Sequence, residues 1–98
     1  MPKKLNDEFT DFLFDAIVTL QTREECAAFF KDLCTIPEVK SMSQRLVVAK
    51  MLKDNMVYSE IVSKTGASTA TISRVNRSLN YENSGGYDLV FERMEDKK

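Results

Sequence analysis

The 98-residue chain has no histidine and no tryptophan, and it has only two cysteines, two prolines and three glycines. Without histidine, the commonest general base and every Ser-His or Cys-His nucleophile pair are excluded, so we do not expect an enzyme. Two cysteines without a histidine cannot form a closed four-ligand zinc site, and we expect no metal. Cys26 and Cys34 are predicted to be reduced thiols in the protein core.

The chain also lacks a long apolar run. A membrane-spanning helix needs about 20 predominantly apolar residues, and no stretch of the sequence approaches this. The basic pair Lys3 and Lys4 leads into a polar segment, residues 6–8, where a signal peptide would have its apolar region. These features predict a cytoplasmic protein with no membrane partner.

Apolar residues recur at helical spacing, and no segment alternates as a strand would, so we predict an all-α protein. Asn6 is the expected N-cap of the first helix. A capping box, with Thr22 and Glu25, predicts the start of the second helix. A third helix is predicted over about residues 38–54, and a last amphipathic helix over residues 87–94.

Apolar residues cover more of these helices than one buried face requires. The first helix has Phe14 outside its main apolar stripe, and the third is apolar around most of its circumference. A chain this short cannot bury so much apolar surface alone, so we predict an obligate homodimer. We expect each copy to form a single all-helical domain over residues 1–94, with a frayed tail at 95–98.

The most informative segment is residues 58–78, which has the spacing of a helix-turn-helix. Gly66 supplies the left-handed position at the turn, and Ser68 is the expected N-cap of the second helix. The predicted inward residues are Ile61, Val62, Ala67, Ile72, Val75 and Leu79.

The outer face of that second helix is predicted to enter the major groove of double-stranded DNA. Its side chains are small, hydroxyl-bearing or cationic, which suits close approach to base edges and phosphates. We predict that Thr69, Ala70 and Ser73 read bases, while Arg74 could contact a base, a phosphate or an effector. The residues expected to hold the DNA backbone are Tyr58, Ser59, Lys64, Ser68, Thr71 and Arg77.

Charge is distributed unevenly along the chain. Residues 41–79 hold 6 basic and 2 acidic side chains, a net charge of +4. Residues 1–40 hold 5 basic and 8 acidic side chains, and residues 80–98 hold 3 and 5, so both ends are net negative. Although the whole chain has a formal charge of -1, its positive charge is concentrated where phosphates would be bound.

The motif A-S-T-A-T-I-S-R at residues 67–74, together with Gln44-Arg45-Leu46 and Leu52, resembles the Trp repressor superfamily. It is most similar to the Trp-repressor-like YerC/YecD family, and the similarity extends over about residues 5–79. This resemblance implies an intertwined helical homodimer with two helix-turn-helix heads. Such a dimer would act as a transcriptional repressor that binds the two half-sites of a palindromic operator.

The resemblance further implies a small-molecule corepressor, held partly by Arg45 and Arg74. In Trp repressor a glycine follows the second of these arginines, beside the ligand, whereas this chain has Val75. The added bulk disfavours tryptophan as the effector and leaves another amino acid, or no effector, as alternatives.

Two functions from other classes stay open. The same helical dimer could be a protein-interaction module that binds another regulator rather than DNA. Asp11 and Asp15, one helical turn apart, could be paired catalytic carboxylates, although a solvated polar face explains their spacing more simply.

Overall fold

The computed structural model describes residues 7–82 and 84–96, and within these residues it contains six α-helices and no strand. The predicted all-α class is confirmed. The helices are α1 (Glu8–Ile17), α2 (Arg23–Leu33), α3 (Ile36–Lys53), α4 (Tyr58–Thr65), α5 (Thr69–Asn80) and α6 (Gly86–Asp96).

The chain forms two compact units, Met1–Ile36 and Pro37–Lys98. Of the predicted tail at 95–98, the first two residues belong to α6, and Lys97 and Lys98 lie outside the described residues. A single domain over residues 1–94 stays a prediction.

The caps of the first unit explain where its helices begin. Asp7, and not Asn6, is the N-cap of α1, and its carboxylate accepts the Thr10 N–H at 2.8 Å. That hydrogen bond lowers the pKa of Asp7. The prediction for Asn6, which lies outside the described residues, was wrong because the next residue offers a charged acceptor to the helix N-terminus.

The capping box at α2 is confirmed. The Thr22 hydroxyl accepts the Glu25 N–H at 3.0 Å, and the Glu25 carboxylate accepts the Gln21 N–H at 2.8 Å. The first bond satisfies an amide that the helix leaves unpaired, whereas the return bond from Glu25 reaches the residue before the N-cap.

Apolar side chains of the first unit remain largely exposed in the single chain. Phe9 is 87% exposed and Phe12 is 76% exposed, although both belong to the apolar stripe of α1. The prediction that both thiols are core residues was wrong for the single chain, since Cys26 is exposed and Cys34 only half-buried. Cys26 lies on α2, and Cys34 is the C-cap residue that follows it.

The second unit has a well-defined core. Buried side chains come from all four of its helices and from the turn between α4 and α5: Val48, Ala49, Ile61, Ala67, Ile72, Val75 and Phe91. An ion pair of 2.7 Å between Lys53 and Asp88 also joins α3 to α6. This core places α4 and α5 against α3, and so positions the candidate functional surface.

Helix α3 ends in a tight turn that directs the chain into α4. Asn55 adopts a left-handed conformation with φ 64°, and the Met56 N–H donates to the Met51 carbonyl at 3.0 Å. This is the hydrogen-bond pattern of a Schellman C-cap. In the parts of the chain described, no helix combines the length and apolar character needed to cross a membrane.

Candidate DNA-binding surface

Helices α4 and α5 form the predicted helix-turn-helix. Gly66 ends α4 with φ 74°, and its N–H donates to the Val62 carbonyl at 2.9 Å. A residue with a Cβ is strained at this φ, which explains the glycine. Ala67, in the turn, is buried as predicted.

Thr65 links the two sides of the turn between α4 and α5 through its side chain. The Thr65 hydroxyl donates to the Ile61 carbonyl at 2.7 Å and accepts the Ala67 N–H at 3.0 Å. One side chain therefore bonds both to the last turn of α4 and to the residue that enters α5. A hydroxyl directly before a turn glycine is the only sequence signal for this role.

Ser68 is the N-cap of α5, as predicted. Its hydroxyl oxygen accepts the Thr71 N–H at 3.1 Å, and the hydroxyl donates to the Thr71 Oγ1 at 3.1 Å. The hydrogen of Ser68 is used inside the cap, whereas Thr71 keeps its own hydroxyl hydrogen for another acceptor. Of the two, Thr71 is the better hydrogen-bond donor to a phosphate.

Helix α5 has two chemically different faces. Ile72, Val75 and Leu79 are buried, and Ile72 and Val75 belong to the core of the second unit. On the opposite face five side chains are exposed: Thr69, Ala70, Ser73, Arg74 and Arg77. The structure thus brings the three predicted base readers onto one solvent-facing row. Arg74 and Arg77, the latter a predicted phosphate contact, lie on the same row.

The remaining predicted backbone contacts lie on α4 or at its ends. Tyr58 and Ser59 begin α4, and Lys64 lies in its last turn; all three are exposed. Arg45 belongs to neither α4 nor α5. It lies on α3, is half-buried, and donates from Nη1 to the Ser41 hydroxyl at 3.0 Å.

Two ion pairs of the second unit involve cations from residues 41–79, the segment with a net positive charge. Lys50 pairs with Asp54 at 3.0 Å, and Lys53 pairs with Asp88 at 2.7 Å. Two cations of α3 are therefore partly neutralised by neighbouring carboxylates. The cations of α4 and α5, which are Lys64, Arg74 and Arg77, take part in neither pair.

The model of the family described as Trp repressor protein matches residues 8–95. The chain belongs to the Trp repressor family. Among its relatives, an uncharacterized protein named YerC from Bacillus subtilis (strain 168) is 50% identical over 93 residues, which cover 95% of this chain and 88% of that protein.

Two solved structures of Trp-repressor-like proteins share this fold. A TrpR-like protein from Eubacterium eligens ATCC 27750 is 56% identical, with a TM-score of 0.87 over 93% of each chain. A putative Trp repressor from Staphylococcus aureus is 54% identical, with a TM-score of 0.87 over 93% of this chain and 90% of that one. Membership of the Trp repressor family indicates a DNA-binding regulator rather than an enzyme.

Proposed function

We propose that this protein is a sequence-specific transcriptional regulator that binds a palindromic operator as a homodimer and represses the genes beside it. It performs no catalysis and needs no metal. Its site of action is the cytoplasm, which holds the chromosome in bacteria, the source of the relatives above.

The observation that supports this proposal most strongly is the two-faced character of α5. Its buried side chains fix its orientation on the core, while its outward row is small and polar near the N-terminus and cationic further along. Thr69, Ala70 and Ser73 are short enough for the helix to approach base edges closely. Arg74 has the length to serve a base, a phosphate or an effector.

Phosphate contacts would surround that row. The hydroxyl groups and cations come from the exposed residues Ser68, Arg77, Tyr58, Ser59 and Lys64 and from the half-buried Thr71. Such contacts fix the register of a protein on the duplex and provide salt-dependent affinity without reading sequence.

A second copy of the chain is the proposed cover for the exposed apolar face of α1. Phe9 and Phe12 lie on that face, while Phe14, outside the main stripe, and the C-cap residue Val18 are also exposed. Pairing would bury these side chains and would present two copies of α5 to successive major grooves, about 34 Å apart.

The decisive experiment is selection of bound sequences from a random duplex pool, followed by titration of the selected duplex over a salt series. We expect a palindromic consensus and a log–log salt slope of about -0.9 for each phosphate contact. A flat salt response and no enriched sequence would instead favour the protein-interaction module.

Two substitutions should separate base reading from phosphate binding. Thr69→Ala is expected to cost about 1–3 kcal/mol at the selected operator and little on random DNA. Lys64→Ala should weaken binding to every duplex and reduce the salt slope by about one unit for each lost phosphate contact. Fluorescence anisotropy with both duplexes, over a salt series, measures each effect.

The two variants serve as controls for each other, because both side chains are exposed and neither contributes to the core. Equal losses on operator and random DNA for Thr69→Ala would contradict its assignment as a base reader. An unchanged salt slope for Lys64→Ala would contradict its assignment to phosphate.

We further propose that tryptophan is not the effector. Val75 is only 2% exposed and packs within the core of the second unit, where it occupies space beneath α5. Arg45 already donates to Ser41. Another amino acid, or no effector, remains compatible with these contacts.

Calorimetric titration with tryptophan should therefore give no binding heat, and saturating tryptophan should leave operator affinity unchanged. A titration of the same protein sample with operator duplex controls for its activity. Micromolar tryptophan binding, or tighter operator binding in its presence, would overturn this proposal.

A further inference from the structure

A side chain of α3 reaches the turn of the helix-turn-helix. Gln44 Nε2 donates to the Thr65 carbonyl at 3.2 Å, across 21 positions of sequence, in a partly buried environment. Thr65 is the residue whose hydroxyl also bonds to Ile61 and Ala67. The amide of Gln44 is therefore connected to the element that joins α4 to α5.

The position of this bond matters because α3 meets the helix-turn-helix at a second point. Val48 and Ala49, about one turn further along α3, are fully buried in the core that includes Ile61 and Ile72. Apolar contacts of this kind are non-directional, whereas a hydrogen bond constrains both distance and angle. The helix-turn-helix is thus attached to α3 at two separated points, and one of the two attachments is directional.

We propose that Gln44 is a positioning residue for DNA recognition: its hydrogen bond to Thr65 sets the inclination of α4 and α5 on α3. This inference rests on the proposed DNA-binding function. Gln44 itself touches no DNA. It determines whether the outward row of α5 reaches base edges, and it therefore contributes to sequence discrimination rather than to general affinity.

The test variant is Gln44→Met, which keeps an unbranched side chain of similar length but removes the amide donor. Ser43→Ala is the matched control, because the Ser43 hydroxyl donates within α3, to the Val39 carbonyl at 2.8 Å. Each protein is titrated with three duplexes: the selected operator, the same operator with one base pair added between half-sites, and a random sequence.

We expect Gln44→Met to bind the operator about three- to ten-fold more weakly, the effect of losing one ordinary hydrogen bond. Its affinity for random DNA should not change, and its preference for the natural half-site spacing over the lengthened one should shrink. Ser43→Ala should match the wild type on all three duplexes. Equal weakening of Gln44→Met on operator and random DNA would overturn the proposal.

Amide hydrogen exchange provides a second readout that needs no DNA. Gln44→Met should accelerate exchange at Gly66 and Ala67, whose N–H groups bond within the turn, and leave Val48 and Ala49 unchanged. The proposal would be overturned if exchange became faster at all four amides, or if it changed at none of them. If the wild type prefers no duplex at all, the proposed function fails, while the exchange result still decides whether Gln44 holds the turn.

Discussion

Replacing Ile72 with alanine is expected to lower the free energy of unfolding by about 2–5 kcal/mol and to abolish operator binding at physiological temperature. Ile72 is fully buried and lies on α5 directly between the exposed residues proposed to read bases. Its loss removes apolar contacts and leaves a cavity beneath the reading helix. Because small domains have only about 5–15 kcal/mol of stability in total, such a loss is a large fraction.

Chemical denaturation at one fixed protein concentration measures this change, since the stability of a dimer depends on concentration. Val57→Ala is the control, because Val57 precedes α4, is 63% exposed and provides no side-chain cap. It should shift the unfolding free energy by less than about 0.5 kcal/mol. If Ile72→Ala were as mild as this control, the assigned packing of α5 would be incorrect.

The helix-turn-helix could be predicted from sequence in detail because its determinants are local. Gly66 is required by a backbone angle, and Ser68 by the unpaired amides of the next helix. Ile72 and Val75 follow from the helical period. Each signal lies within a few residues of the feature it specifies, so each was found where expected.

The hydrogen bond of Gln44 to Thr65 could not be predicted in this way. Its partner is 21 positions away, and the acceptor is a backbone carbonyl, which leaves no trace in the identity of Thr65. Nothing in a single sequence distinguishes a glutamine that spans two helices from one that faces water. Tertiary contacts of this kind require the fold to be known first.

The first unit illustrates a different limit. Periodicity correctly placed α1 and α2, but it predicted inward positions without specifying what covers them. Phe9 and Phe12 lie on the predicted stripe and are nevertheless exposed, and Cys26 is exposed on α2. An apolar stripe predicts that a helix face is buried, but it does not specify the covering surface, which can belong to another chain.

Phe12→Glu is therefore expected to separate the proposed dimer and to weaken operator binding by at least about a hundred-fold. Burying a phenylalanine contributes about 1.5–3 kcal/mol, and burying an unpaired carboxylate in its place costs more. Because both chains of a homodimer carry the substitution, its cost to the interface is incurred twice. A single head bound to one half-site also loses the gain in effective concentration that its partner provides.

Sedimentation at micromolar concentration should show the variant shifted from dimer to monomer, and anisotropy should show the loss of operator affinity. Gln21→Glu adds the same negative charge at an exposed polar position and should change neither. The prediction discriminates sharply because Phe12 is 76% exposed in the single chain. If the protein acted as a monomer, Phe12→Glu would remove almost no buried surface, and its mass and operator affinity would match those of Gln21→Glu.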